Sequence, residues 1–313
     1  MDGKIYWNNH TVNAPHFKTK EESLNYLKWR SNKYPLFQKI CLGNNYDISE
    51  NSEVILDYGC GPGNDIVGYY EYNNNIKKIW ALDISEKAIQ LAKRRLELHG
   101  AKKVNFICLK TEKILSKKPL FLNSYIDSNS VDYIQSLGVL HHTHDIINIL
   151  KEFYRILKTH KKCTTMVYNK ESIWYHLYCG YVLKVLDPNE LEGNVVATGA
   201  KQKAIQVKGD NNVTTDDIFH HCTDGITCPI AFAFSNDEWK NICNSCGFKT
   251  SHTGNYYSDY EVFIFNKYYK KALNDNRLDK DHREFLENLE IRNGAIYYNN
   301  QIAGIGLCHE LRK

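Results

Sequence analysis

The chain has 313 residues and a formal net charge of +4, from 40 basic and 36 acidic residues. Spread over this length, that charge permits a nucleic-acid partner but does not argue for one. The amino-terminal residues show no apolar leader, and no apolar run reaches about 18 residues, so the sequence predicts neither secretion nor a membrane span. Ten cysteines without a leader predict reduced thiols and a cytoplasmic location.

Regular patterns of apolar residues predict helices and strands between residues 20 and 170. A helix is predicted over residues 20–42, with a break near Pro35. The strands that follow are predicted at 53–58, 77–83, 104–109, 130–137 and 163–168, and the helices at 64–72, 85–99 and 144–158. This alternation predicts an α/β fold with a mostly parallel sheet and helices on both faces. Ligands of such sheets bind at the carboxyl edge, where the loops after the strands meet.

The pattern changes after residue 170. Residues 187–230 are polar and loop-rich. Beyond them the sequence predicts a helix at 236–246, strands at 248–253, 261–266 and 304–310, and a charged helical segment at 267–290. These later segments are interpreted as additions that decorate the core and cover its ligand edge.

A glycine-rich turn follows the first strand, in the stretch LDYGCGPGND at residues 56–65. Its spacing is GxGxG, not the GxGxxG of dinucleotide sites, and no GK[ST] follows as in a P-loop. Asp57 would repel a pyrophosphate and attract a cation. Asp83 ends the second strand about 20 residues later, where an acidic side chain binds the two hydroxyls of a ribose. A ribose and a positive charge without phosphate indicate S-adenosylmethionine.

Three stretches in this order resemble the class I S-adenosylmethionine-dependent methyltransferases. They are ILDYGCGPGND, ALDISEKAIQLAKRRLELHG and VDYIQSLGVLHHTHDIINILKEFYRILK, and the resemblance covers about residues 50–170. It implies a Rossmann-like, seven-stranded sheet whose last two strands form an antiparallel hairpin, here 248–253 and 304–310. The predicted domains are an amino-terminal helical cap (1–50), the S-adenosylmethionine-binding core (51–170), an insertion that caps the substrate (171–235), and a part that completes the sheet and carries an inserted helical segment (236–313).

The resemblance also implies which residues hold the cofactor. Asp57 and the turn residues Gly59, Cys60, Gly61 and Gly63 would lie under its methionine part. Further contacts would come from Asp83 to the ribose, Ile84 to the adenine, and Leu137 and Gly138 beside the cofactor. Lys110 stands where the family has an acidic or amide residue, so Thr111 or Glu112 would contact the adenine amino group instead.

Acceptor-binding and catalytic residues are predicted from their places around this edge. His141 and His142 follow the fourth strand, and either could act as a general base. In many family members an amino-terminal segment closes over the cofactor, which makes Tyr6, Trp7, Tyr26 and Arg30 candidates for acceptor binding. Tyr168 and Asn169 follow the fifth strand at the ligand edge and are further candidates.

The cysteines admit one alternative interpretation. Cys243 and Cys246 form a CxxC, and Cys222, Cys228, His220 and His221 lie upstream, so zinc is conceivable. The CxxC cysteines also match the apolar face of a helix that ends at Gly247, and the upstream spacing fits no zinc finger. No metal is expected.

The sequence therefore predicts methyl transfer to a small metabolite, with an amino-acid-sized nitrogen, sulfur or oxygen nucleophile as the preferred acceptor. The loop after the fourth strand lacks the NPPY-like motif of enzymes that methylate base amino groups. Two alternatives stay open. The first is an RNA or protein acceptor, bound by the basic clusters at 93–95, 102–103 and 158–162. The second is a catalytically silent member that binds only the cofactor or a protein partner.

Overall fold

The structure, a computed structural model, describes residues 2–12, 14–49, 51–109, 126–193 and 195–313. The chain forms two compact units. The first, called here the sheet unit, contains residues 2–166, 240–253 and 308–313, and the second, the helical unit, contains residues 167–239 and 254–307.

The regular elements are as follows. The α-helices are α1 (Gly3–Asn9), α2 (Lys20–Lys33), α3 (Pro35–Phe37), α4 (Asn64–Tyr72), α5 (Glu86–Leu98), α6 (Ile146–Ile156), α7 (Ala200–Lys208), α8 (Thr215–Phe219), α9 (Asn236–Ser245), α10 (Asp259–Leu273) and α11 (Lys280–Glu287). The strands are β1 (Val54–Tyr58), β2 (Lys78–Asp83), β3 (Val104–Cys108), β4 (Val131–Leu137), β5 (Leu157–Asn169), β6 (Ala233–Phe234), β7 (Lys249–Tyr256), β8 (Glu290–Arg292), β9 (Ala295–Tyr298), β10 (Gln301–Ile302) and β11 (Gly306–Arg312).

The main sheet has the strand order β3-β2-β1-β4-β5-β11-β7, with the short β6 also paired to β5. Strands β3, β2, β1, β4 and β5 are parallel. The backbone N–H of His160 donates to Lys313, and that of Asn169 donates to Ile305, so β11 runs antiparallel to β5. The predicted α/β architecture, a mostly parallel seven-stranded sheet of the methyltransferase type, is confirmed.

Local sequence signals explain the elements around the ligand edge. Ser85 begins α5 as its N-cap, and its side-chain oxygen accepts the backbone N–H of Ala88 at 3.1 Å. Helix α5 then buries Ile89, Ala92 and Leu96 at helical spacing. Because the helix follows directly on β2, its amino terminus lies beside Asp83.

One predicted strand, 261–266, is wrong, because this segment lies inside helix α10. The run of β-branched and aromatic residues resembles a strand, but Ser258 and Glu261 form a capping box that begins a helix. The buried residues Ile264, Phe265 and Tyr268 follow helical spacing. The other predicted elements between 20 and 169 and the strands at 248–253 and 304–310 are confirmed within a few residues, except that β5 begins earlier, at Leu157.

The helical unit packs around its own apolar core. A π-helix (Trp174–Leu183) lies against α8, α10 and α11 and contributes Leu177, Tyr178 and Val182 to that core. A separate antiparallel sheet has the order β10-β9-β8. Among the residues that the structure describes, no helix combines the length and the apolar character needed to cross a membrane.

Candidate functional site

The three glycines of the turn after β1 all adopt left-handed backbone conformations. The φ angles are +81° for Gly59, +52° for Gly61 and +79° for Gly63, a region that residues with a Cβ rarely adopt. A Cβ on Gly59 would lie 2.1 Å from the side chain of Val139, so this glycine lets the turn pack against the loop after β4. The glycines therefore bring two loops together at the carboxyl edge.

Asp83 is anchored to the glycine turn. Its carboxylate accepts the backbone N–H of Gly61 and that of Ser85, each at 2.8 Å. The backbone N–H groups of Gly59 and Cys60 both donate to the carbonyl of Leu82. Burial raises the pKa of Asp83, and the backbone hydrogen bonds oppose that shift. Asp83 and Gly61, which were each predicted to bind the cofactor, are therefore joined by a direct hydrogen bond.

Asp57 lies in a buried network that the sequence analysis did not identify. It is 4% exposed, and β1–β4 pairing sets it opposite Gln135. The Gln135 amide donates to Asp57 at 3.4 Å and to Asp65 of α4 at 3.3 Å, and it accepts from the hydroxyl of Tyr69. Burial first, and then the Asp65 charge, raise the pKa of Asp57. A glutamine in the middle of a predicted strand, between Ile134 and Ser136, was the available signal for this network.

The loop after β4 carries the predicted catalytic histidines. Leu137 ends β4, and Gly138 follows with φ +76° and donates its N–H to Met166. His141 and His142 lie in a 3₁₀ turn and are 0% and 5% exposed. Their rings contact each other, with centroids 4.2 Å apart.

Helix α1 lies on the loops that follow β2 and β4. The ring of Trp7 meets that of His142 edge-on, with centroids 5.0 Å apart. The side-chain oxygen of Asn8 accepts from the hydroxyl of Ser85 at 3.1 Å and from the backbone N–H of Lys87 at 3.3 Å. Tyr6 is fully buried, stacks on His10 and meets Trp7 edge-on. Trp7 thus lies next to a predicted catalytic residue.

Helix α2 carries Arg30 and Tyr26, which were also predicted to bind the acceptor, and both contact other side chains of the protein. The guanidinium of Arg30 forms an ion pair with Asp65, and both side chains are 13% exposed. The charge of Asp65 raises the pKa of Arg30 against the effect of burial. Tyr26 packs between Phe17 and Trp29. Arg30 therefore already has a carboxylate partner inside the protein.

Tyr168 and Asn169 lie in the helical unit. The hydroxyl of Tyr168 donates to Asp224 at 2.6 Å. Asn169 is fully buried, and its amide donates to the carbonyls of Glu171 and Gly304. Two further residues predicted to bind the cofactor lie at the same edge: Ile84 is half-buried after β2, and Cys60 is buried in the glycine turn. The other two, Thr111 and Glu112, lie outside the described residues.

The cysteines of the alternative zinc interpretation have packing contacts. Cys243 is fully buried on α9, and the Cys246 thiol points to the carbonyl of Ile147. The Cys222 thiol lies 3.1 Å from that of Cys179 and accepts the indole N–H of Trp174. Among the described residues, no group of three or more potential ligands is close enough to hold a metal ion.

The strand order, the glycine turn and the anchored Asp83 together define a class I methyltransferase core. A family model described as a methyltransferase domain matches residues 49–244, more than half of the chain. The chain belongs to this family, the S-adenosylmethionine-dependent methyltransferases.

Individual relatives are distant. The tRNA (guanine(37)-N(1))-methyltransferase Trm5b of Methanocaldococcus jannaschii is 26% identical over 141 residues, which span 42% of this chain and 39% of that relative. Among solved structures, a possible histamine N-methyltransferase of Thermotoga maritima is 12% identical, with a TM-score of 0.47 and coverage of 94% of this chain and 97% of that chain. The YcgJ protein of Bacillus subtilis is 11% identical, with a TM-score of 0.46 and coverage of 94% and 99%.

The residues at this edge fit S-adenosylmethionine. The backbone N–H groups of Gly61 and Ser85 donate to different oxygens of Asp83, and a carboxylate has about four acceptor positions, so Asp83 can still accept a ribose hydroxyl. A Cβ on Gly61 would meet nothing within 4 Å, so the turn presents open backbone on that side. The carboxylate of Asp57 suits the positive charges of the methionine part. The chemistry of Asp83, Gly61 and Asp57 is therefore compatible with the cofactor that this family uses.

Proposed function

We propose that this protein transfers a methyl group from S-adenosylmethionine to a small metabolite, with an amino-acid-sized nitrogen, sulfur or oxygen nucleophile as acceptor. The contact of α1 with the loops that follow β2 and β4 carries the proposal. Asn8 bonds the loop that holds Ser85, and Trp7 packs on His142 in the other loop. A ligand edge covered in this way by the half-buried side chains of a helix suits a small acceptor better than a polymer.

The cofactor supplies an electrophilic methyl group on a sulfonium, and the protein's part is to align the acceptor and exclude water. In this proposal Asp83 holds the ribose, and the turn from Gly59 to Gly63 lets the backbone approach the cofactor closely. A neutral amine or thioether needs no base. If the acceptor is a hydroxyl or a carbon acid, His141 or His142 accepts its proton.

The predicted acceptor residues stay part of the proposal. Trp7 has the strongest support, because its ring contacts His142 directly. Arg30 would have to share its guanidinium between an acceptor carboxylate and Asp65. Tyr6 and Tyr26 are further candidates in the sheet unit, and Tyr168 and Asn169 remain separate candidates in the helical unit.

The basic clusters that could bind RNA are largely engaged within the protein. Arg95 is 4% exposed and bonds Ser23 and Asn64. Lys158 pairs with Asp132 at 2.8 Å. Lys162 pairs with Glu310 and Lys103 donates to a backbone carbonyl. The burial of Arg95 and the ion pairs of Lys158 and Lys162 lower the positive charge available to phosphates, which supports a small acceptor over a nucleic acid.

An RNA acceptor is the second candidate, because the relative from Methanocaldococcus jannaschii is a tRNA methyltransferase. A protein acceptor would use the same surfaces. Cytoplasmic location is also part of the proposal, and the ten free cysteines support it.

The test uses methyl-labelled S-adenosylmethionine and a lysate of the source cells. The wild-type protein and Asp83→Asn are incubated in parallel, and label is counted in the small-molecule, RNA and protein fractions. Label in small molecules that depends on Asp83 supports the proposal. Label in RNA or protein overturns the choice of acceptor. If the protein binds S-adenosylhomocysteine but transfers no label to any fraction of the lysate, the result favours a catalytically silent member.

A further inference from the structure

The buried carboxylate of Asp57 and the half-buried carboxylate of Asp65 meet at one buried amide, that of Gln135. Asp57 is 4% exposed, and Gln135 is 1% exposed. The amide of Gln135 donates to Asp57 Oδ1 at 3.4 Å and to Asp65 Oδ2 at 3.3 Å. Because Tyr69 donates its hydroxyl to Gln135 Oε1, the orientation of the amide is fixed, and both N–H groups face the acids.

The strand register explains why these residues meet. Asp57 of β1 is paired with Gln135 of β4 in the parallel ladder, so the two side chains project from the same face of the sheet. Asp65 comes from the first turn of α4, which follows the glycine turn. Arg30 of α2 pairs with Asp65 from the other side. The chain of contacts is Arg30, Asp65, Gln135 and Asp57.

We propose that Gln135 is a positioning residue for the cofactor: it holds Asp57 ionised and oriented for the cofactor's ammonium group, and it couples Asp57 through Asp65 to Arg30. This inference rests on the proposed function. It also gives Arg30 a different role from the predicted acceptor contact, since Arg30 acts here through Asp65 on the cofactor.

Charged and polar groups on several elements act on Asp57. Burial, the charge of Asp65 and, to a smaller extent, the charge of Asp83 raise the pKa of Asp57. The Gln135 hydrogen bond and the Arg30 charge lower it. Two like charges near one another in a buried site disfavour each other's ionised form. The Gln135 amide lies between them and stabilises both.

The test is a calorimetric titration of S-adenosylhomocysteine between pH 5.5 and 8.5. The proteins compared are the wild type, Gln135→Met, Asp57→Asn and the double variant. Methionine keeps the volume of Gln135 and removes both donors. We expect Gln135→Met to bind at least about 10-fold more weakly at pH 6, since a hydrogen bond to a charged group is lost, and to recover affinity as the pH rises. We expect Asp57→Asn to show a flatter pH profile.

The double variant separates positioning from packing. If Gln135 acts through Asp57, adding Gln135→Met to Asp57→Asn costs little further affinity. An equal loss in both backgrounds means that Gln135 only packs, and overturns the inference. A Gln135→Met protein with the affinity and pH profile of the wild type overturns it as well.

The coupling of Asp57 to Arg30 is tested with two variants of Arg30. Arg30→Gln should weaken S-adenosylhomocysteine binding, and Arg30→Lys should restore most of it because the charge beside Asp65 is kept. If Arg30→Gln changes only the KM of the acceptor, the coupling to Arg30 is wrong. If the wild-type protein binds no S-adenosylhomocysteine, the proposed function and this inference are both overturned. If the wild type binds it and the variants bind it equally well, only this inference is overturned. Circular dichroism on each variant verifies folding.

Discussion

The carboxylate of Asp83 accepts the backbone N–H of Gly61 at 2.8 Å, so the end of β2 and the turn after β1 are fixed to one another. The same carboxylate receives the N–H of Ser85, the residue that caps α5. The carboxylate of Asp83 therefore connects the end of β2, the glycine turn after β1 and the first turn of α5. A change in any of them should alter the cofactor site as a whole.

Two glycine substitutions in the turn should have different effects. Gly59→Ala sets a Cβ 2.1 Å from Val139 and also forces an alanine into φ +81°, so we expect a loss of about 2–4 kcal/mol of folding free energy. Gly61→Ala meets no atom within 4 Å and has only the backbone cost of about 1–2 kcal/mol. Urea unfolding measures both values.

Cofactor affinity provides the matched comparison for these glycines. Gly61→Ala should weaken S-adenosylhomocysteine binding although it is the milder change for stability, because its Cβ enters the open side of the turn. Normal affinity in Gly61→Ala would show that this side of the turn does not face the cofactor.

The ion pair of Arg30 and Asp65 should be important for stability. Both side chains are 13% exposed, so Arg30→Met leaves a largely buried carboxylate without its cation. Removing one partner of a buried pair costs about 3–5 kcal/mol. The double variant Arg30→Met/Asp65→Leu should lose less than the single one. As a control, Lys77→Ala breaks the exposed pair with Glu53 and should change stability little. Equal losses in the single and double variants would contradict this account.

The contact of Trp7 with His142 predicts a kinetic effect. Trp7→Ala removes the ring that covers His142, so we expect a higher KM for the acceptor and a modest loss of thermal stability. The matched control is Ile5→Ala, because Ile5 lies on the same helix as Trp7 and is 57% exposed. Steady-state kinetics with the identified acceptor measure the effect. Equal KM values in the two variants would argue against a role of α1 in acceptor binding.

The buried histidines of the helical unit predict sensitivity to acid. His176 contacts His282 through their Nδ1 atoms at 3.0 Å, and burial lowers the pKa of His176 to about 3. Since the unfolded state takes up a proton near pH 6.5, the stability is fully present above that pH and is lost as the pH falls towards 3. His176→Phe should reduce the slope of the melting temperature between pH 7 and 5.

The control for this slope is His16→Asn, since His16 is exposed. We expect the wild-type slope in this variant. His176→Phe should also lose about 1–3 kcal/mol at pH 7, because the Nδ1 of His282 is left without that partner. A melting temperature with the same pH slope in His176→Phe and the wild type would contradict the assignment.

The sequence predicts the core well because strand, turn and helix signals coincide there. Asp57, Gly61 and Asp83 could be found because a glycine turn after a strand admits few ligands. The helix predicted at 85–99 begins at Ser85, a residue type that favours helix N-caps, and the structure shows Ser85 in that role. These are local signals, and the structure bears out the elements that they specify.

The features that were missed depend on contacts between distant residues. Gln135 and Asp65 are 70 residues apart, and only the strand register with helix α4 brings them together. The pairing of Arg30 with Asp65 is likewise invisible in the sequence, where Arg30 suggested an acceptor contact. The strand wrongly predicted at 261–266 shows that a capping box outweighs β-propensity when the next turns bury a helical face.

The most direct test of the central claim is the affinity of the full chain for S-adenosylhomocysteine, measured by calorimetry for the wild type and Asp83→Asn. The account predicts one site per chain in the wild type and an affinity at least about 10-fold lower in Asp83→Asn, because hydrogen bonds to a charged group contribute about 1.5–3 kcal/mol. Unfolding curves for both proteins verify that the variant is folded. No binding by the folded wild type, or equal binding by the two proteins, would contradict the assignment of this edge of the sheet as the cofactor site.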